Sequence, residues 1–318
     1  MHLTPRSNSQ TASRVIAGQM RIADLTDTQI QQLYSTARAQ GINFFDHADL
    51  YGFNSKAASG AYHYCEQRFG AALNLSNSER EDIILQTKTG IVIGEKTYYD
   101  SSYERIMGSV DRSLKALNTD YLDILLLHRP DALIEPNEVA RAFDELETSG
   151  KVRAFGVSNY TPRQIEHLKT SVTQPITVNQ LQLSMVHASI ITQGLASNIE
   201  SSENSLTRDG GGVLDYCRRE GIALQAWSPF QAGQQQGLIF DRDKHPQLKE
   251  TLDAIAQELN TTPVAVATAW ITRHPANIQV VAGTTNTQRL EEIARGAELT
   301  LTRQQWYELT VAAGHLLP

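Results

Sequence analysis

Short apolar runs alternate along the chain with longer stretches whose apolar residues recur every three to four positions. The runs predict strands at Arg14–Ala17, Ile42–Phe45, Ile83–Thr87, Asp123–Leu127, Arg153–Val157, Thr177–Leu181, Ala223–Trp227 and Ile278–Ala282. They are near-continuously apolar, as strands buried on both faces of a parallel sheet are. The stretches between them predict helices near Asp27–Gln40, Ala61–Leu73, Ser101–Leu117, Pro136–Ser149, Pro162–Lys169, Gly212–Glu220, Gln247–Leu259 and Asn286–Arg295. Further helices are expected at Pro263–His274 and Thr302–His315. Eight strand–helix units in one chain predict an α/β fold: a (β/α)8 barrel of the TIM type, a single domain over residues 1–318, with additional C-terminal helices.

Local punctuation agrees with that alternation. Gly41, Gly150 and Gly221 each close a helical pattern just before a strand, where a left-handed cap residue belongs. Pro136 and Pro162 fall at helix starts, and Thr161 supplies a capping hydroxyl before the second. Segments after strands are long (52–60, 89–100, 187–211 and 228–245), whereas those after helices are mostly short. In a barrel, this asymmetry puts the long loops on the catalytic face. The polar stretch 197–212 reads as a mobile loop, and its Gly210-Gly211-Gly212 run follows no strand, so it is not a phosphate loop.

Composition narrows the partners. A net charge of −7, with 41% apolar and 20% charged residues, suits a globular protein with a sizeable core and argues against a nucleic-acid surface. An anionic ligand in a locally basic pocket remains compatible with it. The two cysteines, Cys65 and Cys217, fall in helical patterns and form no CxxC pair, so reduced thiols are expected. No apolar run reaches the length of a membrane span, and residues 1–13 lack the apolar segment of a signal peptide, so a cytoplasmic location is the expectation.

Four polar residues stand where apolar strands end: Asp46, Tyr51, Lys88 and His128. Barrel folds gather such residues on one face. An ammonium beside a tyrosine stabilises the phenolate and lowers the phenol's pKa. Lys88 can serve Tyr51 in this way, Asp46 can keep Lys88 charged, and His128 can orient a carbonyl or share a proton relay. Such a set protonates an oxyanion as hydride reaches carbon. No side chain supplies hydride, so a nicotinamide cofactor is implied.

Several motifs in one order carry a resemblance: Gly41-Ile42-Asn43-Phe44-Phe45-Asp46-His47-Ala48-Asp49-Leu50-Tyr51-Gly52, Thr87-Lys88-Thr89-Gly90, Leu126-Leu127-His128-Arg129-Pro130-Asp131, and Gly150 through Tyr160. The chain resembles the aldo-keto reductases over nearly its whole length, most of all the bacterial YdhF-type branch. The resemblance implies an NADP-dependent oxidoreductase that reduces small aldehyde or ketone substrates. Tyr51 would be the general acid, Lys88 its partner, Asp46 the residue paired with Lys88, and His128 the substrate orienter. It also implies that Ser158, Asn159 and Gln180 hold the nicotinamide carboxamide, that Trp227 stacks on the ring, and that Ser228 and Phe230 cover the pyrophosphate. Thr284 and Arg289, after Gly283, would bind the 2′-phosphate of NADP. Gly283 stands where relatives usually carry lysine, so one cation is missing, and NADP(H) is favoured over NAD(H) without excluding it. Met20, Arg21, Phe53 and Arg129 lie on catalytic-face loops and are expected to line the substrate site; Arg129 could equally pair with Asp131.

Other residues have plainer readings. His47 and Asp49 share the i, i+2 spacing of a ligand pair, but no second histidine cluster accompanies them and no metal is expected. His63, His167 and His187 read as surface or loop residues, and Trp270 and Trp306 as packing residues. Two other functions remain open: a Schiff-base aldolase using Lys88, which would not need the cofactor set, and a cofactor-binding regulatory protein of the same fold. The expected assembly is a monomer or weak homo-oligomer, without nucleic-acid or membrane partners.

Overall fold

The computed structural model describes residues 11–195, 212–233 and 237–315. The loop expected over 197–211, with Gly210 and Gly211, lies outside the described residues. In chain order the elements are β1 (Val15–Gly18), α1 (Asp27–Ala39), β2 (Phe44–Asp46), α2 (Tyr64–Leu73), α3 (Asn77–Glu81), β3 (Ile84–Thr89), β4 (Ile91–Val92), β5 (Tyr98–Tyr99), α4 (Tyr103–Leu117), β6 (Ile124–Leu127), α5 (Pro136–Thr148), β7 (Phe155–Ser158), α6 (Pro162–Leu168), β8 (Ile176–Gln182), α7 (Ser189–Leu195), α8 (Val213–Glu220), β9 (Ala223–Trp227), β10 (Gln231–Gly233), β11 (Gly237–Leu238), α9 (Pro246–Glu258), α10 (Pro263–Thr272), β12 (Gln279–Ala282), α11 (Thr287–Glu298) and α12 (Arg303–Ala312).

Eight parallel strands close into a barrel in the order β1-β12-β9-β8-β7-β6-β3-β2. This is the (β/α)8 barrel expected. The two-residue period of each strand divides its side chains between barrel interior and helical coat. Ile16, Phe44, Ile84, Ile124, Leu126, Val178 and Val281 form one buried cluster inside. Their neighbours Val15, Ala17, Phe45, Leu85, Leu125, Leu127 and Val280 join the larger core between strands and helices. Gly156 shares the inward parity: a Cβ there would meet Leu126 Cδ2 at 2.6 Å and the Val178 carbonyl oxygen at 2.8 Å.

The expected caps are present. Gly41, Gly150 and Gly221 have φ of +73°, +73° and +70°. Thr161 accepts from the Gln164 N–H in a capping box ahead of Pro162. Trp270 and Trp306 stack with ring centroids 5.1 Å apart and planes 4° apart. Each indole N–H donates to the other residue's carbonyl oxygen, at 3.2 and 2.9 Å. Cys65 and Cys217 are buried free thiols in α2 and α8.

Six small elements fall in stretches between the expected helices and strands. The β4–β5 and β10–β11 hairpins lie on the barrel's catalytic face, and α3 and α7 are short helices. Runs of two or three strand residues carry no readable period. The first helical turn expected at Ala61 begins instead at Tyr64, because His63 takes a left-handed conformation with φ of +62°. No helix among the described residues is long and apolar enough to cross a membrane.

Candidate active site

Inward parity, continued to the carboxyl ends of the strands, builds the site. Phe44 leads to Asp46, Ile84 to Gln86 and Lys88, Ile124 and Leu126 to His128, Gly156 to Ser158, Val178 to Gln180, and Gln225 to Trp227. Tyr51 arrives separately, from the loop after β2. Its carbonyl oxygen accepts from the Cys65 N–H at 3.1 Å, tying the loop to α2.

Lys88 is fully buried, and all three of its ammonium hydrogens have acceptors: Asp46 Oδ2 at 2.6 Å, the His47 carbonyl at 2.7 Å and Tyr51 Oη at 3.0 Å. Burial opposes the charge on Lys88, but Asp46 and Tyr51 outweigh it and hold the ammonium above its ordinary range. On Tyr51, burial outweighs the lowering effect of Lys88, so the phenol sits above its usual pKa. The expected depression is therefore reversed in the free cleft, where desolvation of the phenolate dominates. His128 is pushed well below the usual imidazole range by burial, with Lys88 and Arg129 adding to it, and is neutral at neutral pH. Its ring stands edge-on to Tyr51, centroids 6.1 Å apart.

A row of buried amides underlies Asp46. Gln86 and Gln180 each donate from Nε2 to Asp46 Oδ1, at 2.6 and 3.1 Å, and to Gln225 Oε1, at 2.9 and 3.0 Å. Gln225 donates onward to Gln279 Oε1, and Gln279 to the Ser13 carbonyl. Sequence reasoning missed Gln86, Gln225 and Gln279, although their inward parity was readable.

A cleft of about 670 Å³ opens above these residues. Tyr51, His128, Ser158, Gln180 and Trp227 line one end; Gly283, Thr284, Asn286 and Arg289, leading into α11, line the other. Ser228 and Phe230 also line the cleft. Asn159 is not part of the lining, but its Oδ1 accepts from Trp227 Nε1 at 3.2 Å and so fixes the indole. Its left-handed φ of +62° turns the chain directly after β7.

The four expected substrate residues separate. Met20 and Arg129 line the cleft. Phe53 does not: its ring packs edge-on against Tyr62, centroids 5.1 Å apart. Arg21 lies at the α11 end, donating to the Gly283 carbonyl at 2.8 Å, and a Cβ at position 283 would meet its guanidinium at 2.6 Å. Arg129 does not pair with Asp131, whose carboxylate accepts the Ser101 and Leu133 backbone N–H groups.

His63 is not at the surface. It is buried, 2.6 Å from Glu66 across the back of β2 and β3. Burial alone would raise Glu66, but His63, His47 and Thr87 hold its carboxyl below the usual range. Asp49 is engaged by Arg105 at 2.8 Å and by the Thr89 and Ser109 hydroxyls, so it is not directed toward a shared ligand with His47. His47 is fully buried, and its pKa is pushed down to about 4.

Known proteins share this frame. The chain is 32% identical to the 6-dehydroglucose reductase of Agrobacterium fabrum, covering 97% of each chain. It is 32% identical to the oxidoreductase YdhF of Escherichia coli, over 95% of this chain and 93% of that one. A solved thermostable aldo-keto reductase, in complex with the inhibitor epalrestat, superposes with a TM-score of 0.70 at 22% identity, over 94% of each chain. The model of the aldo/keto reductase family matches residues 14–313. A match that takes in every barrel strand and the residues at their ends leaves one conclusion: the chain belongs to the aldo/keto reductase family, whose members are oxidoreductases.

Proposed function

We propose that this protein reduces aldehyde or ketone carbonyls to alcohols with NADPH, Tyr51 acting as the general acid. The observation that carries the reading is the Tyr51 hydroxyl 3.0 Å from a Lys88 ammonium that is locked to Asp46, at the floor of a cleft long enough to run on to α11. A nicotinamide cofactor supplies hydride when bound.

The chain's own residues supply the rest. Tyr51 holds its proton at neutral pH and gives it to the carbonyl oxygen; Lys88 stabilises the phenolate left behind. Asp46 keeps Lys88 charged, and neutral His128 orients the carbonyl oxygen. Ser158 and Gln180 line the cleft; Asp46 and Gln225 take both Gln180 Nε2 hydrogens, which leaves its Oε1 to accept from the N–H of a carboxamide, and the Trp227 ring, fixed by Asn159, offers a flat apolar face. Ser228 and Phe230 would border the pyrophosphate. Thr284 and Arg289 would hold a 2′-phosphate, with Arg21, seated against Gly283, as the second cation. This pair favours NADP(H) over NAD(H).

A Schiff-base aldolase needs a neutral amine, and Asp46 and Tyr51 hold Lys88 the opposite way. A regulatory protein would bind NADPH without turnover. Purified protein is assayed with NADPH and NADH against aldehydes, ketones and oxidised sugars, the last because of the relatives named 6-dehydroglucose reductase. The expected result is reduction with a lower KM for NADPH. Tyr51→Phe should lower kcat by roughly 10²–10⁴-fold while NADPH still binds. Tight NADPH binding with no turnover of any carbonyl would favour the regulatory reading, and full activity in Tyr51→Phe would remove the proposed acid.

A further inference from the structure

We infer that Arg129 makes this cleft selective for carbonyl substrates that carry a carboxylate. The inference rests on the reading of the cleft as a carbonyl reductase site. Four of the residues that line it are charged: Asp46, Arg21, Arg129 and Arg289. Asp46 is neutralised by Lys88. None of the three arginines pairs with a carboxylate among the described residues, although the protein as a whole is acidic.

Two of these arginines, Arg21 and Arg289, stand at the α11 end, where a phosphate-bearing cofactor accounts for them. Arg129 does not belong to that end. It follows His128 directly, and its Nη1 donates to the His128 carbonyl at 3.1 Å. Its guanidinium carbon lies 5.6 Å over the Trp227 ring. It therefore sits beside the proton donor, where the reacting carbonyl has to be. Its other N–H groups have no acceptor among the described residues. A half-buried guanidinium is costly to leave unpaired, and its planar fork matches the two oxygens of a carboxylate. The neighbouring walls, Leu50, Ile91, Leu238 and Trp227, are apolar. The substrate class is thus an aldehyde or ketone with a carboxylate set apart from the carbonyl by an apolar or aromatic body.

The test compares 4-formylbenzoate with its neutral methyl ester on wild-type protein, Arg129→Gln and Arg129→Lys, at low and high salt. Turnover is measured with NADPH, and binding by tryptophan quenching in the presence of NADP. The wild type should prefer the acid in kcat/KM, and that preference should shrink as salt rises. The acid-to-ester ratio should fall about tenfold or more in Arg129→Gln, with partial recovery in Arg129→Lys. An unchanged ratio, or an equal loss for both substrates with a raised KM for NADPH, would overturn the inference; the second result would assign Arg129 to the cofactor. If neither compound is reduced but the acid still binds more tightly in an Arg129-dependent way, the carboxylate site stands and the reductase reading falls. Equal binding of acid and ester by the wild type removes the carboxylate site whatever the turnover.

Discussion

The back of β2 carries a titration that the cleft does not use. His47 is fully buried beside Phe69, ring centroids 4.7 Å apart, and burial sets its pKa near 4 against an ordinary 6.5. Between those values the unfolded chain binds a proton that the folded chain refuses. Stability from this group is therefore complete above about pH 6.5 and is lost as pH falls toward 4. The loss at pH 5 relative to pH 7 is roughly 2 kcal/mol. His47→Leu should lose that slope whatever its fixed packing cost, which urea denaturation at the two pH values measures. An unchanged slope would place the titration elsewhere. At this scale the sequence was partly legible. Asp46, Lys88 and His128 were readable because each ends an apolar run, whereas the buried state of His63 depends on Glu66 and Ser113 from two different helices, which no local pattern reports.

Elements carry the tyrosine loop. α2 begins where that loop ends, and it packs on α4 through Gly70. A Cβ at Gly70 would meet the Leu117 backbone carbonyl carbon at 2.9 Å, with the Ala116 carbonyl oxygen nearer still. Backbone does not yield as a flexible side chain does. Gly70→Ala should cost about 1–3 kcal/mol, seen as a lower midpoint of thermal unfolding. It should also lower kcat, because α2 supplies the N–H that holds the Tyr51 carbonyl. Wild-type stability in this variant would mean the two helices separate freely. Every barrel strand and the main helices were legible from period and caps. The β4–β5 and β10–β11 hairpins were not: their strands are too short to show alternation.

At the scale of the molecule, the coat is closed by the C-terminal helix. Trp270 is wholly buried, and α12 lays Trp306 flat against it. Trp306→Ala should cost about 3–5 kcal/mol, read by guanidinium denaturation; a change below 1 kcal/mol would show that Trp270 is covered by other means. Chain-wide resemblance made the barrel and the family legible before any coordinates. It could not show that Arg21 leans on Gly283, because that contact joins residues 262 positions apart. The amide row crosses the same long range. A carboxylate can only accept, so Asp46 decides which way Gln86 and Gln180 turn. They decide Gln225, Gln225 decides Gln279, and Gln279 meets a carbonyl ahead of β1, at the opposite mouth of the barrel. The row thus has a polarity, like a line of compass needles, set from one end by the negative charge that also holds Lys88.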